Sequence, residues 1–280
     1  MTPFHRIVVP IDRSDRSLRA LKPARVIADF VGADLVVASV VAKAIDREPV
    51  ERELASRLVD CGVAVSDALV VVNGYTIAQG LEPVIAEPGL LVVVATDGHS
   101  RTVAFTGSVA EELVHAREGE PTLLVGPSVD IDHVSLAGPM VLCRDPEHPS
   151  PAAEAVAERL ARQLLMQHTV LSIRRPGRFR GRGPDRRATS ADGDGGADGA
   201  DRADGAGGSE GADDDVDRPV VLSDTDPTRS IIGYAENVGA LVIAVGTHRR
   251  VGLSRMAFGS VAIQTVTDAS CPVLAIPESD

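Results

Sequence analysis

The strongest constraint on this chain is an internal repeat. The segment Arg6-Ile7-Val8-Val9-Pro10-Ile11-Asp12, with Ser14, Ser17, Ala20 and Ala24 behind it, returns as Met140-Val141-Leu142-Cys143-Arg144-Asp145, followed by Ser150, Ala153 and Ala157. Asp145, Ser150, Ala153 and Ala157 each stand 133 positions after a counterpart (145 − 12 = 133), and the same register aligns Ser39-Val40 with Ser172-Ile173. The ends repeat as well. Gly107-Ser108-Val109-Ala110 and Pro121-Thr122-Leu123-Leu124-Val125 are echoed by Gly259-Ser260-Val261-Ala262 and Cys271-Pro272-Val273-Leu274-Ala275-Ile276. Two copies of one unit follow. The 280 residues suit two domains of the usual size, about 100–200 residues each. We place them at 1–130 and 138–280, with the boundary near Pro127–Gly138.

Within a copy, apolar runs alternate with helical patterns. In the first copy strands are expected at about 5–12, 33–41, 67–73, 90–96 and 122–126, with helices between them, including 15–30, 50–60 and 109–117. Strand–helix alternation implies right-handed crossovers and a parallel sheet with helices on both faces. Aromatics make up only 2% of the chain and there is no Trp. The cores are therefore built from Val, Leu, Ile and Ala, as suits parallel strands buried on both sides. Ligands of such sheets bind at the carboxyl ends of strands, where the strand order reverses. The places to search are thus just after Asp12 and Asp145, and just after the strands ending near Thr96 and Thr247.

The second copy carries an insertion at about 177–217. Its first part is Arg-rich (Arg178, Arg180, Arg182, Arg186, Arg187) and its second part is Gly, Ala and Asp, ending Asp213-Asp214-Asp215. Such a composition buries too little apolar surface to offset its ordering entropy, so disorder is expected. It replaces the stretch that holds the helix at 50–60 in the first copy. The second copy is expected to lack that helix and to leave part of one sheet face thinly covered.

Composition narrows the function further. A net charge of −12 argues against non-specific nucleic-acid binding. No apolar stretch approaches the roughly 20 residues that span a bilayer, and the N-terminus shows no signal-peptide core; a cytoplasmic location is expected. Cys61, Cys143 and Cys271 are odd in number and far apart, with no CxxC, so buried thiols are expected rather than a disulfide framework or a zinc site. The seven histidines are scattered without metal-ligand spacing. No Walker loop, G-x-G-x-x-G or G-x-S-x-G is present. No convincing general acid–base pair or water-activating residue stands out, so a binding role is favoured over a slow hydrolase, which stays as the lesser alternative.

Pro10-x-Asp12-x-Ser14-x-x-Ser17-x-x-Ala20-x-x-x-Ala24 resembles the opening of universal stress proteins. Asp226-Pro227, Ile231, Tyr234-Ala235 and the run Gly239 to His248 resemble that family's third helix and fourth strand, and Gly259-Ser260-Val261 with Ser270-Cys271-Pro272-Val273-Leu274 its end. The resemblance covers nearly the whole chain outside the insertion. It implies α/β architecture: two tandem flavodoxin-like/HUP-type domains, each a five-stranded parallel sheet with helices on both faces. They would pack as an internal pseudo-dimer through the closing strands, about 121–126 and 272–276. A further homodimer and an unidentified protein partner are compatible with it.

The resemblance also implies an adenine-nucleotide site for ATP, with magnesium. The family's strand-end Asp, here Asp12 and Asp145, contacts the adenine or ribose edge, and Val40 and Ile173 stand at its adenine-contact position. ATP-binding members carry G-x-x-G, nine residues, then G-[ST]; the glycines let backbone approach phosphate at a helix N-terminus. Neither copy keeps this loop whole. The second has Gly246-Thr247-His248-Arg249, nine residues, then Gly259-Ser260-Val261, with Arg249 replacing the second glycine: either an obstruction or a cation for phosphate. The first has Ala95-Thr96-Asp97-Gly98, eight residues, then Gly107-Ser108, and Asp97 adds negative charge. The second copy is therefore favoured for phosphate contact. Ser108 with Glu111 also reads as a capping box, and Ser260 as a plain N-cap. The alternative to a nucleotide-binding regulator is a scaffold of the same fold that acts through protein–protein contacts.

Overall fold

The computed structural model describes residues 4–72, 76–96, 109–117, 120–134, 137–174, 219–249, 256–257 and 259–277. The first half runs β1 (Arg6–Pro10), a 3-10 turn (Ser17–Ala20), α1 (Leu21–Val31), β2 (Asp34–Val41), α2 (Arg47–Cys61), β3 (Asp67–Val72), α3 (Ile77–Ile85), β4 (Leu90–Ala95), α4 (Val109–Ala116) and β5 (Thr122–Val125). The second runs β6 (Met140–Arg144), α5 (Pro151–Gln163), β7 (His168–Arg174), β8 (Val220–Ser223), α6 (Pro227–Asn237), β9 (Val242–Arg249), β10 (Met256–Ala257), α7 (Ser260–Asp268) and β11 (Val273–Pro277).

All the strands join one sheet, in the order β3-β2-β1-β4-β5-β11-β9-β6-β7-β8, with β10 paired only to β9. Each half is parallel apart from β10 and repeats one strand order. The halves meet where β5 and β11 pair antiparallel, Leu124 opposite Val273, Leu123 opposite Leu274 and Thr122 opposite Ala275. The internal pseudo-dimer is therefore a continuous sheet.

Local chemistry explains the element ends. Gly32 and Gly62, at φ of 69° and 64°, terminate α1 and α2 in the left-handed region that glycine enters freely. Ser150 and Asp226 cap α5 and α6, each followed by a proline in the first turn. Thr76 and Gln79 form a capping box on α3.

Two apolar layers flank the sheet. On one face α1 and α2 (Ala24, Ile27, Leu54, Leu58) and α5 (Ala153, Ala157, Leu160) cover Ile7, Val9, Leu35, Val37, Met140 and Leu142. On the other, α3, α4, α6 and α7 contribute Leu81, Leu113, Ile231 and Val266 over Val8, Val92, Val141 and Ile243. Among the described residues no helix lies between β7 and β8, where α2 stands in the first half. The expected insertion, 177–217, falls outside the described residues.

Three expectations need correction. The helix expected at 15–30 is a 3-10 turn followed by α1, because the hydroxyls of Ser14 and Ser17 tie the loop before it. The first strand, expected to reach residue 12, stops at Pro10, since the chain turns at Asp12. The strand expected to end near Thr247 continues to Arg249, because Met256 and Ala257 return to pair with Arg249 and His248.

The connection between halves is held from both sides. Arg19 donates to the carbonyls of Pro127 and Val129 at 3.0 and 2.7 Å. The Ser128 hydroxyl donates to Thr267 O at 2.9 Å, and Asp130 N to Ser270 O at 3.2 Å.

Candidate functional site

The strand order puts a switch point between β1 and β4 in the first half and between β6 and β9 in the second. Connections leave the two strands of each pair in opposite directions, which opens a crevice at their carboxyl ends. Asp12 lies at the first crevice, in a turn. Its Oδ1 accepts from Ser14 N at 2.8 Å and Ser14 Oγ at 2.6 Å, and Ser17 Oγ donates to Asp12 O at 3.3 Å. From α2, Arg57 reaches Asp12 O at 3.5 Å and the Asp15 carboxylate at 2.7 Å, and Arg13 pairs with Glu53 at 2.8 Å. Burial pushes the Asp12 carboxyl up, but the Ser14 and Ser17 donors and the Arg57 charge outweigh it and hold the group below the usual carboxylate range. Asp12 thus stays ionised, an acceptor for ligand N–H or O–H groups.

Thr96, just past β4, completes the described part of this crevice. It is buried, its backbone N–H donates to Val125 O at 3.0 Å, and its Oγ1 has no hydrogen-bond partner among the described residues. A buried hydroxyl without a partner is costly, so a polar group of a ligand or water fits this place. Val40 is half-buried on β2, opposite Val71. Gly98, Gly107 and Ser108 lie outside the described residues.

In the second crevice Asp145 follows β6. Its Oδ1 accepts from Glu147 N at 2.8 Å, and its Oδ2 lies 3.5 Å from His148 Nδ1. Ile173 is buried on β7 opposite Leu222. Gly246 and Thr247 lie within β9, not in a loop. A Cβ on Gly246 would stand 3.4 Å from the Ala153 Cβ and 3.7 Å from that of Ser150, ordinary contact distances that show β9 running beside the first turn of α5. Thr247 is buried. Arg249 ends β9 opposite Met256, and its side chain is outside what the structure describes. Gly259, not Ser260, is the N-cap of α7, at φ −61° and ψ 153°, with no side-chain cap hydrogen bond. Ser260 and Val261 open the helix, Ser260 exposed and Val261 half-buried. The expected Ser260 cap is therefore corrected: the extended backbone falls one residue earlier, and α7 presents first-turn amides without a side-chain acceptor. Such amides favour an anion.

Asp12 and Asp145 thus each follow the first strand of their half, Val40 and Ile173 lie on the neighbouring strand, and in the second half Gly246 lies in β9 and Gly259 caps α7. The sequence reading missed Thr96 as a site residue, and Arg57. The signal for Thr96 lay in its match to Thr247 in the repeat; nothing in the spacing pointed to Arg57, which arrives from another helix.

Burial pushes the Cys143 thiol up to about 12 and the Cys271 thiol up to about 11, so both are poor nucleophiles. Among the described residues no group of three His, Cys, Asp or Glu could hold a metal ion. No described helix is long and apolar enough to cross a membrane. A shallow cavity of about 580 Å³ lies between α1 and the interdomain connection, lined by Lys22, Arg25, Val26, Ile131 and Asp132.

Comparison with known proteins places this geometry. The universal stress protein family matches residues 139–277. No curated protein matches the chain. A universal stress protein from Archaeoglobus fulgidus shares the fold at a TM-score of 0.60 and 17% identity, over 98% of this chain and 97% of that one. A putative universal stress protein from Pseudomonas aeruginosa UCBPP-PA14 does so at 0.55 and 16%, over 98% and 93%. A protein of unknown function from Pseudomonas aeruginosa PAO1 does so at 0.56 and 16%, over 98% and 93%. These likenesses establish fold, and the sequence match over the second half establishes kinship: the chain belongs to the universal stress protein family.

Proposed function

We propose that the chain is a regulatory protein that binds an adenine nucleotide, ATP with magnesium, at the strand-end crevices, the second copy making the phosphate contact. The observation that carries this reading is the pair of glycines flanking the second crevice. At Gly246 β9 runs beside the start of α5, and Gly259 leaves the first-turn amides of α7 without a side-chain cap. Backbone N–H groups there meet phosphate without a side chain in the way. At the other end of each crevice Asp145 or Asp12 supplies an acceptor for the adenine or ribose edge. Thr96 supports occupancy of the first crevice as well, through its unpartnered buried hydroxyl.

Isothermal titration with ATP and magnesium tests the reading. We expect saturable heat, reduced tenfold or more by Gly259→Glu, which sets a carboxylate against the phosphate. No heat, or heat indifferent to Gly259→Glu, overturns it. Asp12→Ala and Asp145→Ala assign the signal to one copy or the other.

A further inference from the structure

The two halves differ in backbone at one matched place, the start of the helix behind each strand-end acid. Ser150, Pro151 and Ala153 stand 133 positions after Ser17, Leu18 and Ala20 (150 − 17 = 133, and likewise for the others). In the second half Ser150 lies outside the helical region, at φ −117° and ψ 87°, and caps α5. Its hydroxyl accepts from Ala153 N, and Glu154 N donates to Ser150 O four residues back, an α-helical bond. The first half builds the same stretch as the 3-10 turn Ser17–Ala20. Here amides reach three residues back, Arg19 N to Arg16 O and Leu21 N to Leu18 O. The cause lies in Ser17. Its hydroxyl donates backwards, to Ser14 O at 2.9 Å and Asp12 O at 3.3 Å, and so locks the Asp12 turn. α1 then starts after Ala20 with no side-chain cap. One repeat position thus has two uses, and one stretch has two backbone forms.

The 3-10 turn also reaches the second half. Arg19, within it, donates through Nη2 to Pro127 O at 3.0 Å and Val129 O at 2.7 Å. The connection held in this way is seated on the C-terminal end of α7. Ser128 donates to Thr267 O, Asp130 N to Ser270 O, and a Cβ on Gly126 would lie 1.9 Å from Val266 O. The opposite end of α7 carries Gly259 and the uncapped amides. The second half has no such arm, since Ala152 stands where Arg19 does. A 3-10 helix rises about 2.0 Å per residue and an α-helix about 1.5 Å, so converting four residues moves the turn by about 2 Å along its axis and rotates it. The Arg19 hydrogen bonds do not survive such a displacement.

We propose that Ser17–Ala20 is a conformational switch that couples the two crevices. A ligand N–H or O–H that takes the Asp12 carboxylate from Ser14 opens the turn. Ser17 then caps α1 as Ser150 caps α5, the stretch becomes α-helical, and Arg19 leaves the connection. α7 loses support at its C-terminal end, and the second crevice binds more weakly. The trigger rests on the nucleotide reading of the crevices; the link from the turn to α7 does not.

Hydrogen exchange of the full chain, read by mass spectrometry, tests the switch, with α7 (260–268) as reporter and α3 (77–85) as reference. Leu18→Pro imposes the second-half form, because proline drives the residue before it out of the helical region. Arg19→Met cuts the arm and leaves the turn. Each should speed α7 exchange about tenfold with α3 unchanged, and the double variant should go no further than either single one. Wild-type exchange of α7 in either variant, additive effects in the double variant, or α3 rising in step with α7 overturns the proposal. The ligand arm uses Gly259→Glu, which weakens the second crevice. ATP with magnesium should then speed α7 exchange, and adding Asp12→Ala should abolish that response. Saturable heat from the first crevice with α7 unchanged overturns the coupling. A titration without heat removes the nucleotide reading instead, and Leu18→Pro and Arg19→Met still decide the switch.

Discussion

Leu123 of β5 lies directly opposite Leu274 of β11, the antiparallel contact through which the two halves become one sheet. Both are nearly fully buried, at 2% and 4% exposure. Truncating one leaves a cavity at the seam, where backbone pairing prevents collapse. Leu274→Ala should lower unfolding stability by about 3 kcal/mol, read from urea denaturation. Val221→Ala, on the exposed strand β8, should cost less than about 1 kcal/mol. Equal losses at the two positions would deny the seam its role.

The connection between halves makes a second, sterically sharper prediction. A Cβ on Gly126 would lie 1.9 Å from Val266 O, a backbone atom of α7 that cannot rotate away. Gly126→Ala should therefore force α7 and the connection apart and destabilise by about 3 kcal/mol. Gly32 has φ 69° with nothing within 4 Å of its added Cβ, so Gly32→Ala carries only left-handed strain, about 1 kcal/mol. Thermal unfolding of both variants separates a steric requirement from a conformational one; a Gly126→Ala chain as stable as wild type would contradict the packing described.

Much of this fold was legible because the repeat carries its own register. The match of Asp12 with Asp145 aligned β1 with β6, and the β-branched runs marked the central strands to within a residue or two. What the sequence hid depended on partners distant in the chain. That β9 extends past Gly246 depends on Met256 and Ala257 returning to pair with it. That Gly259 rather than Ser260 caps α7 depends on where the backbone leaves the extended region. At the candidate site the acids and glycines could be named in advance, but Thr96 became informative only once burial showed its hydroxyl without a partner.

The ionisation of Asp12 gives a pH test. Its folded pKa lies below the unfolded value, mainly because Ser14 and Ser17 donate to the loop against the opposing effect of burial. A depressed carboxyl pKa contributes stability that is complete above the unfolded value, about 3.9, and is lost as pH falls through the folded value. Asp12→Asn should thus lower the urea midpoint at neutral pH and flatten its decline below about pH 4. An acid limb parallel to that of wild type would show that the Ser14 contacts do not favour the charged form.

The Arg144–Glu154 pair allows a thermodynamic cycle across the repeat. In the first half the same two positions, Ile11 and Leu21, are apolar and buried. In the second, the Glu154 side chain is only 15% exposed and that of Arg144 32%. Arg144→Ile removes the cation and strands a mostly buried carboxylate, which should cost about 3 kcal/mol. Glu154→Leu leaves an arginine whose long stem can carry its charge to water, and should cost about 1 kcal/mol. The double variant restores the apolar pair of the first half and removes both stranded charges, so it should return to within about 1 kcal/mol of wild type. The resulting coupling of about 3–4 kcal/mol would be read from urea unfolding of the four proteins. Strict additivity would mean that the two side chains do not act as a pair, and that the polar character of this face has another origin.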